Sequence, residues 1–232
     1  MVRFYLQCLL LLLVAGRGSA QPMSYRGLSA DTGTIYLRHN PLGWADLLDN
    51  NVNLGAEYRL NKNWSATMDA GFIFYSQYFS KTRQATGWLF RPGIRLYPGK
   101  YKSFFIDLQL HYKEVTYHVK DWIERDVVQG VASYEELTRF RYKKTVTGAH
   151  LMIGGRKYLT SNRRFLTELY FGLGLHFKEE GPYHQPANSR YDRAMRMMPQ
   201  SINLNEVNAN NAPRKWILLA VPWGLRIIYR LR

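Results

Sequence analysis

"NVNLGAEYRLNKNWSATMDAGF", residues 51–72, consists of two alternating runs about a short polar turn. In the first run Val52, Leu54, Ala56, Tyr58 and Leu60 fall on one face, and Asn51, Asn53, Gly55, Glu57 and Arg59 on the other. After Asn61-Lys62-Asn63 the pattern restarts, with Trp64, Ala66, Met68, Ala70 and Phe72 opposing Ser65, Thr67, Asp69 and Gly71. A period of two marks a strand with one apolar and one polar face. It leaves open which face is inward. One answer is a water-soluble barrel with an apolar core; the other is an inverted barrel with an apolar exterior.

The same alternation recurs along the chain. Strand-like segments lie near 33–39, 51–60, 64–76, 86–97, 104–119, 139–159, 165–177 and 215–231. Most reach the ~10 residues that let a tilted strand cross a bilayer. The connections are asymmetric. Tight turns, "NKN" (61–63), "PGKYK" (98–102) and "TSNRR" (160–164), follow the second, fourth and sixth strands. Longer polar segments follow the third, fifth and seventh: 77–85, 120–138 and 178–214. An even strand count with short turns at one end and long loops at the other is the pattern of outer-membrane barrels. The expected fold is therefore all-β: an eight-stranded, antiparallel, up-and-down transmembrane β-barrel, with long loops near 120–138 and 178–214. Within the last loop "SRYDRAMRMM" (189–198) suits either a short helix or a disordered flap.

Glycine indicates the sidedness. Gly55, Gly71, Gly93, Gly148, Gly154, Gly172, Gly174 and Gly224 all share the polar face of their strands. On a solvated face a glycine weakens a strand without return. Inside a narrow eight-stranded barrel, which side chains fill, it makes room for large neighbours such as Arg91, Tyr170 or His176. The polar face is expected inside. The opposite face carries Met68, Phe72, Phe90, Ile94, Leu169, Phe171, Leu173, Leu219 and Leu225, with no charge among them. Aromatics gather at strand ends in two girdles: Tyr58, Trp64, Phe104, Tyr158, Phe165 and Tyr229 near the turns; Phe74, Trp88, Tyr112, Phe177 and Trp216 near the loops. A soluble ligand carrier lined by these aromatics is the rival, and it leaves the glycines unexplained.

The first residues, "MVRFYLQCLLLLLVAGRGSAQ", combine Arg3, an apolar run from Cys8 to Ala15 and the small residues Gly18-Ser19-Ala20. This reads as a secretory signal over 1–20, with the barrel domain at 21–232. The apolar run is short of the roughly 20 residues of a spanning helix. Cys8, with no small residue leading into a processing site, does not suit a lipoprotein anchor. It is the only cysteine, so the exported domain has no disulfide scaffold, thiolate nucleophile or cysteine-ligated metal. The net charge of +15 stays strongly positive without Arg3 and Arg17. In an exported barrel it points to lipid phosphate or acidic polysaccharide and not to nucleic acid.

In architecture the chain looks like small barrels of the OmpA and OmpX type. Through "RHNPLG" (38–43), "NLGAEYRL" (53–60) and "RPGIRLYPGK" (91–100) it also resembles an uncharacterised Bacteroidota family of outer-membrane β-barrel proteins, a domain of unknown function. That resemblance implies location and fold, and no catalytic residues. Members of such families can be encoded beside surface-adhesin and fimbrial genes, which implies a partner role.

The inward charges form the sharpest constellation. Gly55-x-Glu57, Gly93-x-Arg95, Gly154-x-Arg156 and Gly224-x-Arg226 repeat one plan, and Asp69, Asp107 and Glu168 follow a few residues into the next strands. Counting outward from the turns pairs Arg95 with Asp107 and Arg156 with Glu168; Glu57, Asp69, Arg91 and Arg226 complete a mixed-sign belt. Charges away from bulk water persist when paired and hydrogen-bonded. The belt is expected to plug the lumen; a gate or narrow ion path is the alternative. His111, His150 and His176 share the polar face, which invites a metal site. No H-x-H or HExxH spacing is present, so they are read as hydrogen-bonded fillers, with no metal and no cofactor.

Ser133 with His118, or Ser76 with His111, are conceivable nucleophile–base pairs, but neither has a supporting motif. Basic residues at the turns (Lys62, Lys100, Lys102, Arg156, Lys157, Arg163, Arg164, Arg230, Arg232) suit anionic headgroups. Those of the loops (Lys81, Arg83, Lys143, Lys144, Arg190, Arg193, Arg196) suit lipopolysaccharide phosphates. The expected function is that of a non-enzymatic outer-membrane barrel, an envelope structural or surface partner-binding element. Its partners are the surrounding lipid, including lipopolysaccharide, and a surface protein bound through 178–214. A narrow channel is the alternative, and a lipid-modifying or proteolytic enzyme is the third reading.

Overall fold

The stretch at 51–72 pairs with itself. β2 (Asp49–Arg59) and β3 (Trp64–Ser76) run antiparallel, with Gly55 opposite Asp69 and Glu57 opposite Thr67. Around this hairpin the computed structural model describes residues 32–45, 49–78, 82–99, 102–129, 131–183, 188–191 and 214–231. The other strands are β1 (Ile35–His39), β4 (Thr82–Leu96), β5 (Phe104–Arg125), β6 (Tyr134–Tyr158), β7 (Phe165–Tyr183), β8 (Arg190–Tyr191), β9 (Arg214–Ala220) and β10 (Trp223–Arg230). Each of β1 to β6 pairs antiparallel with the next.

The eighth stave of the ring is broken in two. β9 pairs with the upper part of β7 (Leu175 opposite Leu219) and β10 with its lower part (Leu169 opposite Leu225). The break falls at Val221-Pro222, where proline has no N–H for the ladder; its carbonyl still accepts from the Gly172 N–H at 2.8 Å. β10 closes the ring on β1 (Leu37 opposite Tyr229). β1 stops at His39, and a 3-10 turn over Pro41–Ala45 packs beside β2. Among the described residues β9 has no strand partner on its other side. No helix of the described residues is long and apolar enough to cross a membrane.

The sidedness follows the glycines. Glu57, Asp69, Arg95, Asp107, Arg156, Glu168 and Arg226 are buried, while Leu54, Leu110, Leu151, Leu169 and Leu219 are each more than half exposed. The reason is visible in cross-strand rows. Phe105, Gly154, Tyr170 and Gly224 lie side by side on β5, β6, β7 and β10. A Cβ on Gly224 would stand 2.6 Å from Tyr170 Oη, and one on Gly154 would collide with the Phe105 ring. Large side chain and glycine alternate around the row, so each large group lies across its neighbour's vacancy. His176 does the same over Gly148, 2.8 Å from a Cβ there. Arg91 turns instead to His111.

Five features differ from the sequence reading. The segment expected as a loop at 120–138 is mostly strand: β5 runs to Arg125 and β6 starts at Tyr134, leaving a turn at 126–133. β7 likewise continues to Tyr183, and β8 inside the expected 178–214 loop pairs with Ile123 and Glu124 of β5. Trp216 is not an exterior girdle residue. It sits opposite Lys178, whose ammonium lies 4.7 Å from its ring, while Ile217 and Leu219 take the outward positions. Tyr158 also faces inward, against Tyr36, Leu166 and Ile228. Arg156 and Lys144 are buried interior groups, not surface cations for headgroups and lipopolysaccharide. The remaining named aromatics stand outward as expected: Tyr58, Trp64, Phe74, Trp88 and Phe165 are exposed, and Tyr229 packs on Phe165 with ring centroids 5.0 Å apart. The expected signal at 1–20 and residues 192–213, including most of "SRYDRAMRMM", lie outside the described residues.

Candidate functional site

The lumen is filled in layers. At the turn end Tyr36, Leu166 and Ile228 form a small apolar cluster. At the loop end a second cluster gathers Ile73, Ala85, Val115, Tyr117, Val119, Ile123 and Phe140. Charges occupy the space between.

The belt is centred on two arginines that share two glutamates. Arg95 reaches Asp107 Oδ2 (2.7 Å), Glu168 Oε1 (2.6 Å) and Glu57 Oε2 (3.0 Å). Arg156 pairs with Glu57 Oε2 at 2.7 Å and with Glu168. Arg95 stands opposite Asp107, and Arg156 opposite Glu168, in the hairpin registers read from the turns. Arg226 completes this side, 3.6 Å from both Asp69 and Glu168, with its guanidinium 4.0 Å from the Tyr170 ring centroid. Arg91 joins the belt to the groups above it. It is opposite Asp69 in register, and its Nε donates to His111 Nδ1 at 3.2 Å.

Three belt members escaped the sequence reading. Arg38 of β1, Gly55 of β2 and Asp69 of β3 share one row, and across the vacant glycine Arg38 bonds Asp69 at 2.6 Å. Tyr97 donates its hydroxyl to Glu57 Oε1 at 2.5 Å. Arg59 lays its guanidinium 3.5 Å from the Tyr97 ring centroid. Arg59 was legible on the polar face, two residues after Glu57. Arg38 lies on the five-residue β1, and Tyr97 follows the last residue of β4; neither stands beside an acid in its own hairpin to mark it as a belt member.

Above the belt, His111, His150 and His176 come together from β5, β6 and β7. Their ring centroids are 4.5, 4.8 and 5.0 Å apart, and His150 Nε2 lies 2.6 Å from His176 Nε2. Glycines again provide the space: His111 and His176 flank Gly148, and His150 lies over Gly174. This is the trio of the described residues with the donor set for a metal ion.

Higher still, beyond the apolar exterior, Asp49 gathers Lys144 (2.5 Å), Lys113 (2.7 Å), the Ser76 hydroxyl (2.7 Å) and the Tyr117 hydroxyl (2.9 Å). Burial by itself would raise the Asp49 pKa; Lys113 and Lys144 outweigh it and hold the carboxyl well below its ordinary range. Beside it burial, reinforced by Glu180, pushes the Tyr78 phenol far above its ordinary value, and Tyr78 donates to Glu180 at 2.7 Å. A carboxyl with a depressed folded pKa contributes stability that is complete above its unfolded pKa and is lost as the pH falls through and below that value. Asp49→Asn is therefore expected to cost about 2–4 kcal/mol at pH 7. The deficit against wild type should shrink as the pH is lowered below about 4, in denaturant titrations run at a series of pH values.

Among the described residues the two serines and His111 have these partners. Ser76 donates to Asp49, His111 Nδ1 accepts from Arg91, and Ser133 donates to the Asp126 carbonyl at the hairpin tip. What the interior does is lock strands together through shared ions. No curated protein and no solved structure matches the chain. Residues 7–202, most of its length, match the family described as "Protein of unknown function (DUF3575)", and the chain belongs to that family.

Proposed function

We propose that this protein is an outer-membrane barrel of the OmpA and OmpX architecture, with its turns in the periplasm, that acts outside the membrane as a non-enzymatic partner-binding element. The observation that carries this reading is the inversion of the fold: buried charge within, large apolar side chains without. On β5 the outward residues Phe104, Ile106, Leu108, Leu110 and Tyr112 form an uncharged run that ends at Glu114. On β7 the corresponding run from Phe165 to Phe177 ends at Glu179. Runs of this length match a tilted strand in the hydrocarbon layer. The amino-terminal signal-like segment supports export, and Lys143 and the neighbouring outward cations suit lipopolysaccharide phosphates.

The lumen charges then serve as a plug and not as a path for ions. The working part is the hairpin of β5 and β6, which rises about ten residues per strand beyond the apolar band. Its exposed side chains include Trp122, Tyr134, Leu137, Val128 and Val131. Aromatic and aliphatic groups clustered on a projecting hairpin suit a protein contact more than a solute.

A photo-crosslinking residue at Val128, irradiated on whole cells, tests the proposal. A discrete protein adduct is expected; lipid adducts alone, or none, would overturn the partner role. The barrel itself is checked by migration in detergent gels. An unboiled sample should run faster than a boiled one.

A further inference from the structure

The histidine trio goes beyond this reading. From its geometry we infer that His111, His150 and His176 form a three-histidine site for a divalent transition-metal ion of the zinc class, inside the barrel. Three independent features point there.

The first is shape. An imidazole nitrogen sits about 2.0–2.1 Å from zinc, which places the centroids of rings sharing one ion roughly 5 Å apart. The observed separations, 4.5 to 5.0 Å, already match. All three rings offer a nitrogen within 4.8 Å of the others. In a tetrahedral shell every nitrogen pair stands roughly 3.3 Å apart: the His150–His176 nitrogens, at 2.6 Å, must part, and the wider pairs, up to 4.8 Å, must close.

The second is an unfilled valence. His111 is buried, and its Nε2 has no hydrogen-bond partner. A filler histidine would have both nitrogens satisfied.

The third is construction. The three ligands come from adjacent strands, and Gly148 and Gly174 leave the space in which the rings lie. An ion held here clamps β5, β6 and β7 at mid-barrel and keeps a fourth coordination position. Imidazole donors suit zinc, cobalt, nickel and copper, and a shell without carboxylate or carbonyl oxygen disfavours magnesium and calcium.

Arg91 opposes and tunes the site. Because His111 Nδ1 accepts from Arg91, the His111 proton resides on Nε2. Ligation through Nε2 moves that proton to Nδ1, with no net release, and breaks the Arg91 bond. The guanidinium charge repels the ion as well. Arg91→Gln removes the charge and offers an amide oxygen to accept from Nδ1–H, as metal-bound histidines ordinarily have an acceptor there. This substitution is expected to tighten binding about tenfold.

The test uses the full chain, purified in detergent without an affinity tag, stripped with chelator and titrated with cobalt chloride. One cobalt per chain, with visible ligand-field bands that zinc chloride abolishes, is expected. His150→Gln and His176→Gln should weaken binding by at least about tenfold, and His118→Gln, outside the cluster, should leave it unchanged. Absent bands in the wild type, or equal cobalt affinity in the His150→Gln/His176→Gln double variant, would overturn the site. Should the histidine variants lose the faster migration of the folded barrel, Arg91→Gln decides: an affinity equal to or below wild type overturns the proposal.

Discussion

Glu168→Ala should lower the unfolding free energy by about 3–5 kcal/mol, the cost of breaking a buried ion pair, and should open no pore. Glu168 is fully buried and is a common acceptor for Arg95, at 2.6 Å, and Arg156; Arg226 stands at 3.6 Å. Removing it leaves three guanidinium groups, all buried, to share the remaining carboxylates. Their desolvation has been incurred, and part of the attraction that offset it is gone. The space released is small and is bordered by Arg95, Arg156 and Tyr97, whose own contacts to Glu57 persist. Two measurements check this: the denaturant midpoint in detergent, and single-channel recording in planar bilayers. A folded variant carrying a large, stable current would overturn the plug and favour the narrow channel.

Leu151→Arg is expected to cost about 2–4 kcal/mol when the protein folds into lipid vesicles, the penalty for a charge at mid-bilayer. Leu151 projects outward on β6 between Leu108 of β5 and Leu173 of β7, and all three are at least half exposed. They lie at the centre of the apolar exterior. In a water-soluble barrel the same change at such an exposed position would stay within about 0.5 kcal/mol. The contrast with Thr145→Arg, which lies toward the loop end on the same face and should cost at most about 1 kcal/mol, makes the comparison internal. Equal stabilities of the two variants in vesicles would remove the main support for a membrane setting.

Much of the architecture was legible in the chain itself. Period-two alternation located seven staves and the greater part of the eighth, and the glycines on the polar faces told inside from outside. The pairs Arg95–Asp107 and Arg156–Glu168 were legible because each joins the two arms of one hairpin, where a short turn sets the register. The reading weakened where contrast between faces vanished. Beyond the apolar band β5 and β6 carry polar groups on both faces, as in Lys120 and Asp121 or Glu135 and Glu136, so strand resembled loop. The aromatic character of Trp216 suggests a girdle residue, but its parity is opposite to that of Ile217 and places it opposite Lys178.

The rest depended on ring closure. Glu57 meets Arg156 across 99 residues of chain, Arg38 reaches Asp69 over Gly55, and the three histidines converge from three strands with no local spacing to announce them. Alternation belongs to a single strand and can be read from its own residues. Which inward groups touch depends on the shear of the closed ring, which brings distant rows level across a lumen only a few side chains wide. The sequence alone determined what each stave presents to either side. Only the tertiary structure decided which charges share a carboxylate and which imidazoles share a space.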